Sequence, residues 1–202
     1  MQSSTQSDES PGADPLAVFV EWQALAAARG GLMPDAFALA TATPDGRPSV
    51  RTVLYKGVQD GAIRLVTNYD SRKGRELTEN PHGALMFYWP VLDRQVRMEG
   101  RLEPAPASES DAYFASRDRE SQLGAWASAQ SQPVPSRAAL MASFDRVRTR
   151  FEGATVPRPP HWGVVHLIPE RIELWLAGPH RLHDRFAYTR EVAGWRCQRL
   201  MP

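Results

Sequence analysis

The sequence contains a single cysteine, Cys197, among its 202 residues. One thiol cannot form an internal disulfide, and it cannot supply the paired ligands of a cysteine-based metal site. The histidines follow neither an H-x-x-x-H nor an H-E-x-x-H spacing, so a zinc centre is not expected. These absences argue against a disulfide-stabilised secreted fold and against the common zinc enzymes.

Long apolar runs and an excess of one charge are also missing. No apolar run approaches the roughly 18 residues that a membrane-crossing helix needs. The opening residues, MQSSTQSDESPGADP, have neither the basic patch nor the apolar core of a secretory signal. Lysine and arginine together number 24 against 23 acidic residues, so no global charge draws the protein to nucleic acid. We therefore expect a cytoplasmic protein without a membrane or nucleic-acid partner.

Three widespread enzyme motifs do not occur. No G-x-G-x-x-G follows a strand-like segment, no G-x-x-x-x-G-K-[ST] loop is present, and no G-x-S-x-G elbow is found. A Rossmann dinucleotide site, P-loop phosphoryl transfer and a serine hydrolase are therefore unsupported. If the chain is an enzyme, we expect an organic cofactor to supply its chemistry.

The length and the order of local patterns favour one folded domain. Residues 1–13 are polar and are predicted to be a disordered tail, and residues 14–202 are predicted to form a single domain. Many short strand-like segments, separated by turns such as Pro44-Asp45-Gly46, accompany a few helices. This pattern predicts a mainly β fold with helices (α+β), namely a β-barrel that carries helices.

Local signals place the individual elements. Helices are predicted to begin at Asp14-Pro15 and after Ser71, and to cover 108–116 and 136–151. Strands are predicted over 37–43, 50–56, 63–67, 85–89, 95–102, 162–167, 171–175, 186–190 and 195–200.

Basic residues gather at the predicted start of the second helix. Ser71, Arg72 and Lys73 would combine free backbone N–H groups with two cations, an arrangement that suits a phosphate. Arg51 and Lys56 lie at predicted strand ends. A solvated helix start is the competing interpretation, and spacing alone favours it.

Tyr113, Arg117 and Ser121 are spaced four residues apart. On one continuous helix they would share a face and present a guanidinium between two hydroxyls, which is a possible phosphate clamp. The alternative is a surface helix with an incidental arginine.

Arg181, His183 and Arg185 alternate along a presumed extended segment, so their side chains would point to one side. Two cations and an imidazole repel one another unless an anion or a carboxylate compensates them. A ligand is therefore as plausible here as a structural ion pair. Trp175, just upstream, fits either this site or the core.

Together, these residues resemble the pyridoxamine 5′-phosphate oxidase family from about residue 14 to residue 202. The matching fragments, in chain order, are RTVLYKG (51–57), TNYDSRKGREL (67–77), RQVRMEG (94–100), YFASRDRESQLGAWAS (113–128), QSQ (130–132), RPPHWG (158–163), RIELW (171–175), RLHDR (181–185) and the closing GWRCQRLMP. Single fragments would be weak signals, whereas the ordered set is specific.

The resemblance implies an FMN-binding split β-barrel that forms a homodimer, with FMN held noncovalently between the subunits. The positions that match the family's FMN contacts are Arg51, Thr52, Val53, Leu54, Tyr55, Lys56, Val66, Thr67, Arg72, Lys73, Gln95, Gln130, Ser131, Trp175 and Arg185. No metal is implied.

The resemblance also implies the substrate residues and the reaction. Lys56, Tyr113, Arg117 and Ser121 would hold a substrate phosphate, while Arg181 and His183 would lie against a pyridine ring as the catalytic pair. The implied activity converts pyridoxamine or pyridoxine 5′-phosphate to pyridoxal 5′-phosphate, with O2 as acceptor and H2O2 as product. Two alternatives are an oxidase of another aromatic compound, of the phenazine-biosynthesis type, and a non-catalytic flavin- or pyridoxal-phosphate-binding protein.

The sequence departs from the family at a few places. Members usually carry an R-x-x-Y segment near the N-terminus that helps to cover the substrate, but residues 1–13 contain neither arginine nor tyrosine. That lid is expected to be missing or replaced. Val66 stands where an aromatic residue is common, and Val164 and Ala177 each replace a usual glycine.

Overall fold

The computed structural model describes residues 10–202. The α-helices of this part are α1 (Pro15–Ala28), α2 (Arg72–Glu79), α3 (Ala107–Ala115), α4 (Arg119–Ala127) and α5 (Arg137–Arg150). Its strands are β1 (Ala36–Ala42), β2 (Pro48–Leu54), β3 (Val58–Gln59), β4 (Ala62–Asn68), β5 (His82–Trp89), β6 (Arg94–Pro104), β7 (Trp162–Leu176), β8 (Asp184–Glu191) and β9 (Gly194–Leu200). No helix within the described residues is long and apolar enough to cross a membrane.

The strands form one antiparallel sheet whose two ends meet. Its order is β2-β1-β5-β6-β7-β4-β3, and β8 pairs with β7 and β9. The backbone N–H of Lys56 donates to the carbonyl of Arg64, and that of Arg64 donates to the carbonyl of Gly57, both over 2.9 Å. These bonds extend the β3–β4 hairpin back to the end of β2, so the chain passes directly from one end of the strand order to the other, as in a barrel. The predicted mainly β barrel with attached helices is confirmed.

Helix α1 packs into the barrel core. Asp14 caps the helix by accepting from the Leu16 N–H over 3.0 Å, as the Asp14-Pro15 pair predicts. Phe19 is fully buried, and its ring centroid lies 4.9 Å from that of Phe87 in β5. The inward-facing residues of the central strands complete this core.

Helices α3, α4 and α5 form a second apolar cluster outside the barrel. Phe114, Leu123 and Phe151 pack with Trp162, the first residue of β7. Ser136 caps α5 through a 3.0 Å bond from the Ala139 N–H, so the predicted start of this helix is confirmed. The cluster fixes the three helices beside the β4–β7 edge of the barrel, where the candidate site lies.

The predicted strands 162–167 and 171–175 are in fact one strand, β7, so the predicted break is wrong. The pairing of β6 with β7 shifts register between Glu99 and Gly100. Because of this irregularity, β7 continues through Pro169 instead of ending there. A Cβ atom at Gly100 would lie 2.0 Å from the carbonyl oxygen of Ile168. Glycine therefore permits the close approach of the two strands at this irregularity.

Most of the predicted disordered tail, together with most of the missing lid segment, lies outside the described residues. Within residues 10–13, the Gly12 carbonyl accepts a 2.8 Å hydrogen bond from the hydroxyl of Tyr188. Tyr188 is fully buried in β8, and burial is the main cause that raises its pKa to about 12. The chain just before α1 is thus attached to the barrel.

Candidate functional site

The start of α2 holds a buried cation, as the sequence predicts for a phosphate site. Ser71 caps the helix by accepting from the Gly74 N–H over 3.2 Å. Lys73 is only 8% exposed, and its Nζ donates to Oε1 of Gln130 over 2.7 Å and to Ser71 Oγ over 3.3 Å. Burial, reinforced by the nearby Arg51 charge, lowers the pKa of Lys73 to about 8. Within residues 10–202 no carboxylate forms an ion pair with Lys73, so this charge is available to an anion.

A buried carboxylate, which sequence reasoning missed, organises the two neighbouring arginines. Glu76 accepts from Thr41 over 2.5 Å and from Ser49 over 2.6 Å, and it pairs with Arg51 over 3.3 Å and Arg72 over 2.9 Å. Burial by itself raises the pKa of Glu76, but the bonds from Ser49, Thr41 and Arg72 outweigh it and hold the pKa at about 2. Glu76 therefore remains a carboxylate and fixes both guanidinium groups.

Arg51 does not line the cleft described next. It faces the same side of the sheet as Leu39, whose carbonyl accepts from its Nη1 over 3.1 Å. Arg72, in contrast, uses Nε for Glu76 and is 59% exposed. Of these three predicted phosphate cations, Arg51 is held on the Leu39 side of the sheet, Lys73 is buried at the cleft, and Arg72 lies at the surface.

A cleft of about 580 Å³ opens between β2, α3 and the start of α4. Most of its lining consists of residues that the sequence predicts for cofactor or substrate. The lining residues are Thr52, Val53, Leu54, Lys56, Val66, Lys73, Tyr113, Ser116, Arg117, Asp118, Ser121 and Gln130. An adjoining cavity of about 350 Å³ shares Val66, Lys73, Arg117, Ser121 and Gln130, and it also contacts Thr67. The two cavities thus share one wall, and together they are named the cleft.

Tyr113, Arg117 and Ser121 do not lie on one continuous helix, so the condition for a shared helix face is not met. Helix α3 ends at Ala115, and Asp118 starts α4 by accepting from the Ser121 N–H over 2.8 Å. The helix is interrupted here because the Asp118 side chain, and not a backbone carbonyl of a preceding helical turn, accepts the hydrogen bond from the Ser121 N–H. The three side chains nevertheless line the same cleft, since the turn between the helices folds around it.

Arg117 carries a buried donor that lacks a partner within residues 10–202. Its Nη1 is buried and donates to no oxygen of this part of the chain. The guanidinium carbon lies 4.7 Å from the Trp162 ring centroid, and burial lowers the pKa of this arginine. An orphaned guanidinium nitrogen is costly unless a ligand satisfies it, which makes Arg117 a strong anion-binding candidate.

A second group of predicted residues lies on the other part of the sheet. Gln95 in β6 pairs with Trp175 in β7, and Trp175 pairs with Arg185 in β8. The His183 ring lies 4.7 Å from the Trp175 ring, and its Nδ1 accepts from the Gly178 N–H over 3.2 Å. These four side chains therefore form one cluster.

The segment from Arg181 to Arg185 is not extended, so the predicted alternation is wrong. Residues Pro179–Arg181 form a 3₁₀ turn in which His180 and Arg181 have φ values of 56° and 64°. Arg181 is exposed at this turn. Arg185 is compensated by the buried Glu173, which accepts from its Nε over 2.9 Å and from its Nη2 over 3.1 Å. Here the compensating group is a carboxylate of this chain, which the spacing alone could not reveal.

One exposed sheet face connects the two groups. Thr52 in β2 lies beside Ala38 in β1, which lies beside Met86 in β5. Two residues further along β5, Tyr88 pairs with Gln95 of the second group. The same face includes Val50, which is 69% exposed, and Tyr88, which is 51% exposed. Exposed apolar side chains grouped on one sheet face are typical of a protein–protein contact.

Two further predicted contacts differ in exposure. Tyr55 is half-buried, packs against Phe19 with ring centroids 5.3 Å apart, and donates its backbone N–H to the carbonyl of Asp35 over 2.8 Å. Ser131 is exposed, with φ of 71°, next to the Gln130 that binds Lys73.

Two family models match this chain. Residues 26–151 match the model described as pyridoxamine 5′-phosphate oxidase, and residues 162–202 match the pyridoxine 5′-phosphate oxidase C-terminal dimerisation region. The first match spans more than half of the chain. The chain belongs to the pyridoxamine 5′-phosphate oxidase family.

Individual relatives agree with this assignment. A pyridoxine/pyridoxamine 5′-phosphate oxidase of Rubrobacter xylanophilus is 53% identical over 94% of this chain and 87% of the relative. The enzyme of the same name from Gluconobacter oxydans is 48% identical over 94% of this chain and 95% of the relative.

Solved structures of related proteins share the fold. PhzG from Burkholderia lata, in complex with tetrahydrophenazine-1-carboxylic acid, has a TM-score of 0.90 at 33% identity, covering 98% of both chains. A pyridoxamine 5′-phosphate oxidase-related, FMN-binding protein from Nostoc punctiforme has a TM-score of 0.72 at 18% identity, covering 97% of this chain and all of that chain. The predicted split-barrel fold of the pyridoxamine 5′-phosphate oxidase family is confirmed.

Proposed function

We propose that this protein oxidises pyridoxamine 5′-phosphate, and pyridoxine 5′-phosphate, to pyridoxal 5′-phosphate with FMN as cofactor. For the amine, the balanced reaction consumes O2 and water and releases ammonia and hydrogen peroxide. The relatives that are 48–53% identical carry the name of this enzyme. The decisive structural observation is the orphaned Arg117 nitrogen in a cleft that also contains Lys56, Tyr113 and Ser121.

The cleft also fits FMN. Among residues 10–202, the buried ammonium group of Lys73 bonds only the neutral oxygens of Ser71 and Gln130, and a phosphate placed there would give it an anionic partner. Arg72 would add a second positive charge at the start of α2. Thr52, Val53 and Leu54 line the cleft, and a flat ring system would lie along this wall. When bound, FMN supplies a ring that accepts a hydride from the substrate and later passes electrons to oxygen.

We assign the grip on the substrate phosphate to Lys56, Tyr113, Arg117 and Ser121. Lys56 and Arg117 contribute charge, while the two hydroxyl groups can donate to the remaining phosphate oxygens. A phosphate held at this fixed point limits how the reacting carbon can move, so the grip should affect turnover as well as binding.

We assign the other cofactor and substrate contacts to a second copy of the chain. Gln95, Trp175, Arg181, His183 and Arg185 do not line the cleft that contains Lys73 and Arg117. They lie in or beside the exposed sheet face, and residues 162–202 match the dimerisation region. A homodimer that buries this face would bring one subunit's cluster to the other subunit's cleft. In that arrangement, Arg181 and His183 orient the pyridine ring, and Arg185 and Trp175 border the cofactor.

Oxidation of a phenazine precursor is the second candidate, because the PhzG structure is 33% identical and holds a tricyclic carboxylic acid. The cationic phosphate cleft favours the vitamin B6 substrate. A carboxylate would need fewer donors than Lys56, Tyr113, Arg117 and Ser121 provide.

The test is to supply FMN-loaded protein with pyridoxamine 5′-phosphate in air and to measure hydrogen peroxide and pyridoxal 5′-phosphate together. Equal amounts of both products would support the proposal. Tight FMN binding without turnover of either phosphorylated substrate, but with oxidation of tetrahydrophenazine-1-carboxylic acid, would establish the second candidate instead.

A further inference from the structure

Arg64 connects two walls of the cleft without lining it. It lies in β4, and its backbone forms two hydrogen bonds, to Lys56 and Gly57, that extend the β3–β4 hairpin. Its side chain adds a bond from Nη1 to the carbonyl oxygen of Lys56 over 3.2 Å. The main chain that presents Lys56 is therefore held by both the backbone and the guanidinium of Arg64.

The same guanidinium also reaches the helix that carries Tyr113. Its Nε donates to Oε1 of Glu109 over 2.7 Å, and its central carbon lies 6.0 Å from the Tyr113 ring centroid. Glu109 and Tyr113 are four residues apart in α3, so they lie on the same face of that helix. Arg64 thus fixes α3, and with it Tyr113, relative to Lys56.

Histidine 166 completes this arrangement from the neighbouring strand. His166 pairs with Arg64 across β4 and β7, and its Nε2 lies 3.0 Å from the same Glu109 oxygen. The side chains of Arg64 and Glu109 are only 21% and 13% exposed. Burial raises the pKa of Glu109, but the bonds from His166 and Arg64 outweigh it and lower the pKa overall. The carboxylate therefore stays charged between its two partners.

We propose that Arg64, anchored by Glu109, is a positioning residue that sets the distance between Lys56 and Tyr113 for the phosphate of the substrate. This inference rests on the proposed function, because it assigns Lys56 and Tyr113 to the substrate phosphate. A rigid fork is required, since one side chain must reach both the Lys56 carbonyl and the Glu109 carboxylate. Arginine provides that geometry and lysine does not.

The main test uses equilibrium binding of pyridoxal 5′-phosphate and of pyridoxal to the FMN-loaded protein, measured by isothermal titration calorimetry. Arg64→Met should weaken binding of the phosphorylated ligand about 10-fold and change pyridoxal binding less than about 2-fold. Arg64→Lys should retain the charge but restore only part of the affinity. In turnover assays the same variants should raise KM more than they lower kcat.

The Glu109→Gln variant shows whether Arg64 acts by positioning or only through its charge. The two explanations predict changes of opposite sign in the affinity for the phosphorylated ligand. Removing a carboxylate near the cleft would strengthen phosphate binding if Arg64 acted only through its charge. If Glu109 orients Arg64, the variant should instead weaken binding about 3-fold or more, and the double variant Arg64→Met/Glu109→Gln should be no worse than Arg64→Met.

The matched control is Arg47→Met, which removes an arginine from an exposed pair with Asp45. It should leave both ligands' affinities and the melting temperature unchanged. Tighter phosphate binding by Glu109→Gln, full restoration by Arg64→Lys, or an equal loss of pyridoxal binding would each overturn the proposal. Absence of turnover in the unmodified protein would overturn the proposed function instead, while the calorimetric comparison would still decide the role of Arg64.

Discussion

Nζ of Lys73 donates to Oε1 of Gln130 over 2.7 Å, which joins the start of α2 to the segment between α4 and α5. Both residues line the cleft. A buried ammonium group that bonds only neutral oxygens is less stable than one paired with an anion. We therefore expect the affinity of this position for an anion to depend on the charge of Lys73.

Affinity for FMN should fall as pH rises above about 8. The pKa of Lys73 is lowered from 10.5 to about 8 in the folded protein, so its charge is lost as pH passes through about 8. A bound phosphate stabilises the ammonium form and raises that pKa, so binding takes up a proton above pH 8 and weakens with increasing pH. Titration of apoprotein with FMN, followed by flavin fluorescence between about pH 7 and about pH 9, measures this.

Riboflavin, which lacks the phosphate, is the control ligand, and its affinity should vary little over the same range. Lys73→Arg should flatten the FMN profile, because arginine keeps its charge there. An identical pH dependence for FMN and riboflavin would contradict this role of Lys73.

Replacing Glu76 by glutamine should destabilise the protein at neutral pH by at most about 3 kcal/mol. The pKa of Glu76 is lowered from 4.5 to about 2, so its contribution is present above pH 4.5 and is lost as pH falls towards 2. The difference in unfolding free energy between the parent and Glu76→Gln should shrink over that interval. Urea denaturation at several pH values measures it, and a difference that stays constant with pH would contradict the assignment.

Arg181→Ala should leave FMN bound and reduce kcat/KM for pyridoxamine 5′-phosphate about 100-fold. Arg181 is exposed and lies outside the cleft that contains Lys73, so its loss should not affect retention of the cofactor. Flavin content after dialysis and steady-state peroxide release separate the two effects. Arg47→Ala is the exposed control, and unchanged catalytic efficiency of Arg181→Ala would refute the assignment.

Met86→Glu should prevent dimer formation and, with it, tight FMN binding. Met86 lies in the apolar sheet face between Thr52 and Tyr88, where a buried carboxylate would lack a partner. Sedimentation analysis should show the monomer mass for this variant and the dimer mass for the parent. Val192→Glu, at the fully exposed turn between β8 and β9, should remain dimeric. Dimeric Met86→Glu with normal FMN content would show that the interface lies elsewhere.

Local sequence patterns determined the elements that depend on neighbouring residues. Asp14, Ser71 and Ser136 each start a helix, because a cap needs only the next few backbone N–H groups. The ordered fragments, from RTVLYKG to RLHDR, identified the family and its split barrel. Periodicity failed at Pro169 and between Tyr113 and Ser121, where one bulge and one cap changed the geometry.

Only the tertiary structure decided which charges are neutralised and which are free. Glu173 neutralises Arg185 and Glu109 holds Arg64, and these pairs are separated by 12 and 45 positions along the chain. Nη1 of Arg117, in contrast, has no hydrogen-bond partner among residues 10–202. The spacing of residues along a sequence indicates which residues lie together within one helix or strand, but it does not give the distance between two such elements. The sequence by itself therefore determined the family, the barrel and the candidate cations. The folded chain decided which of those cations meet in one cleft, because strand register and helix packing set that geometry.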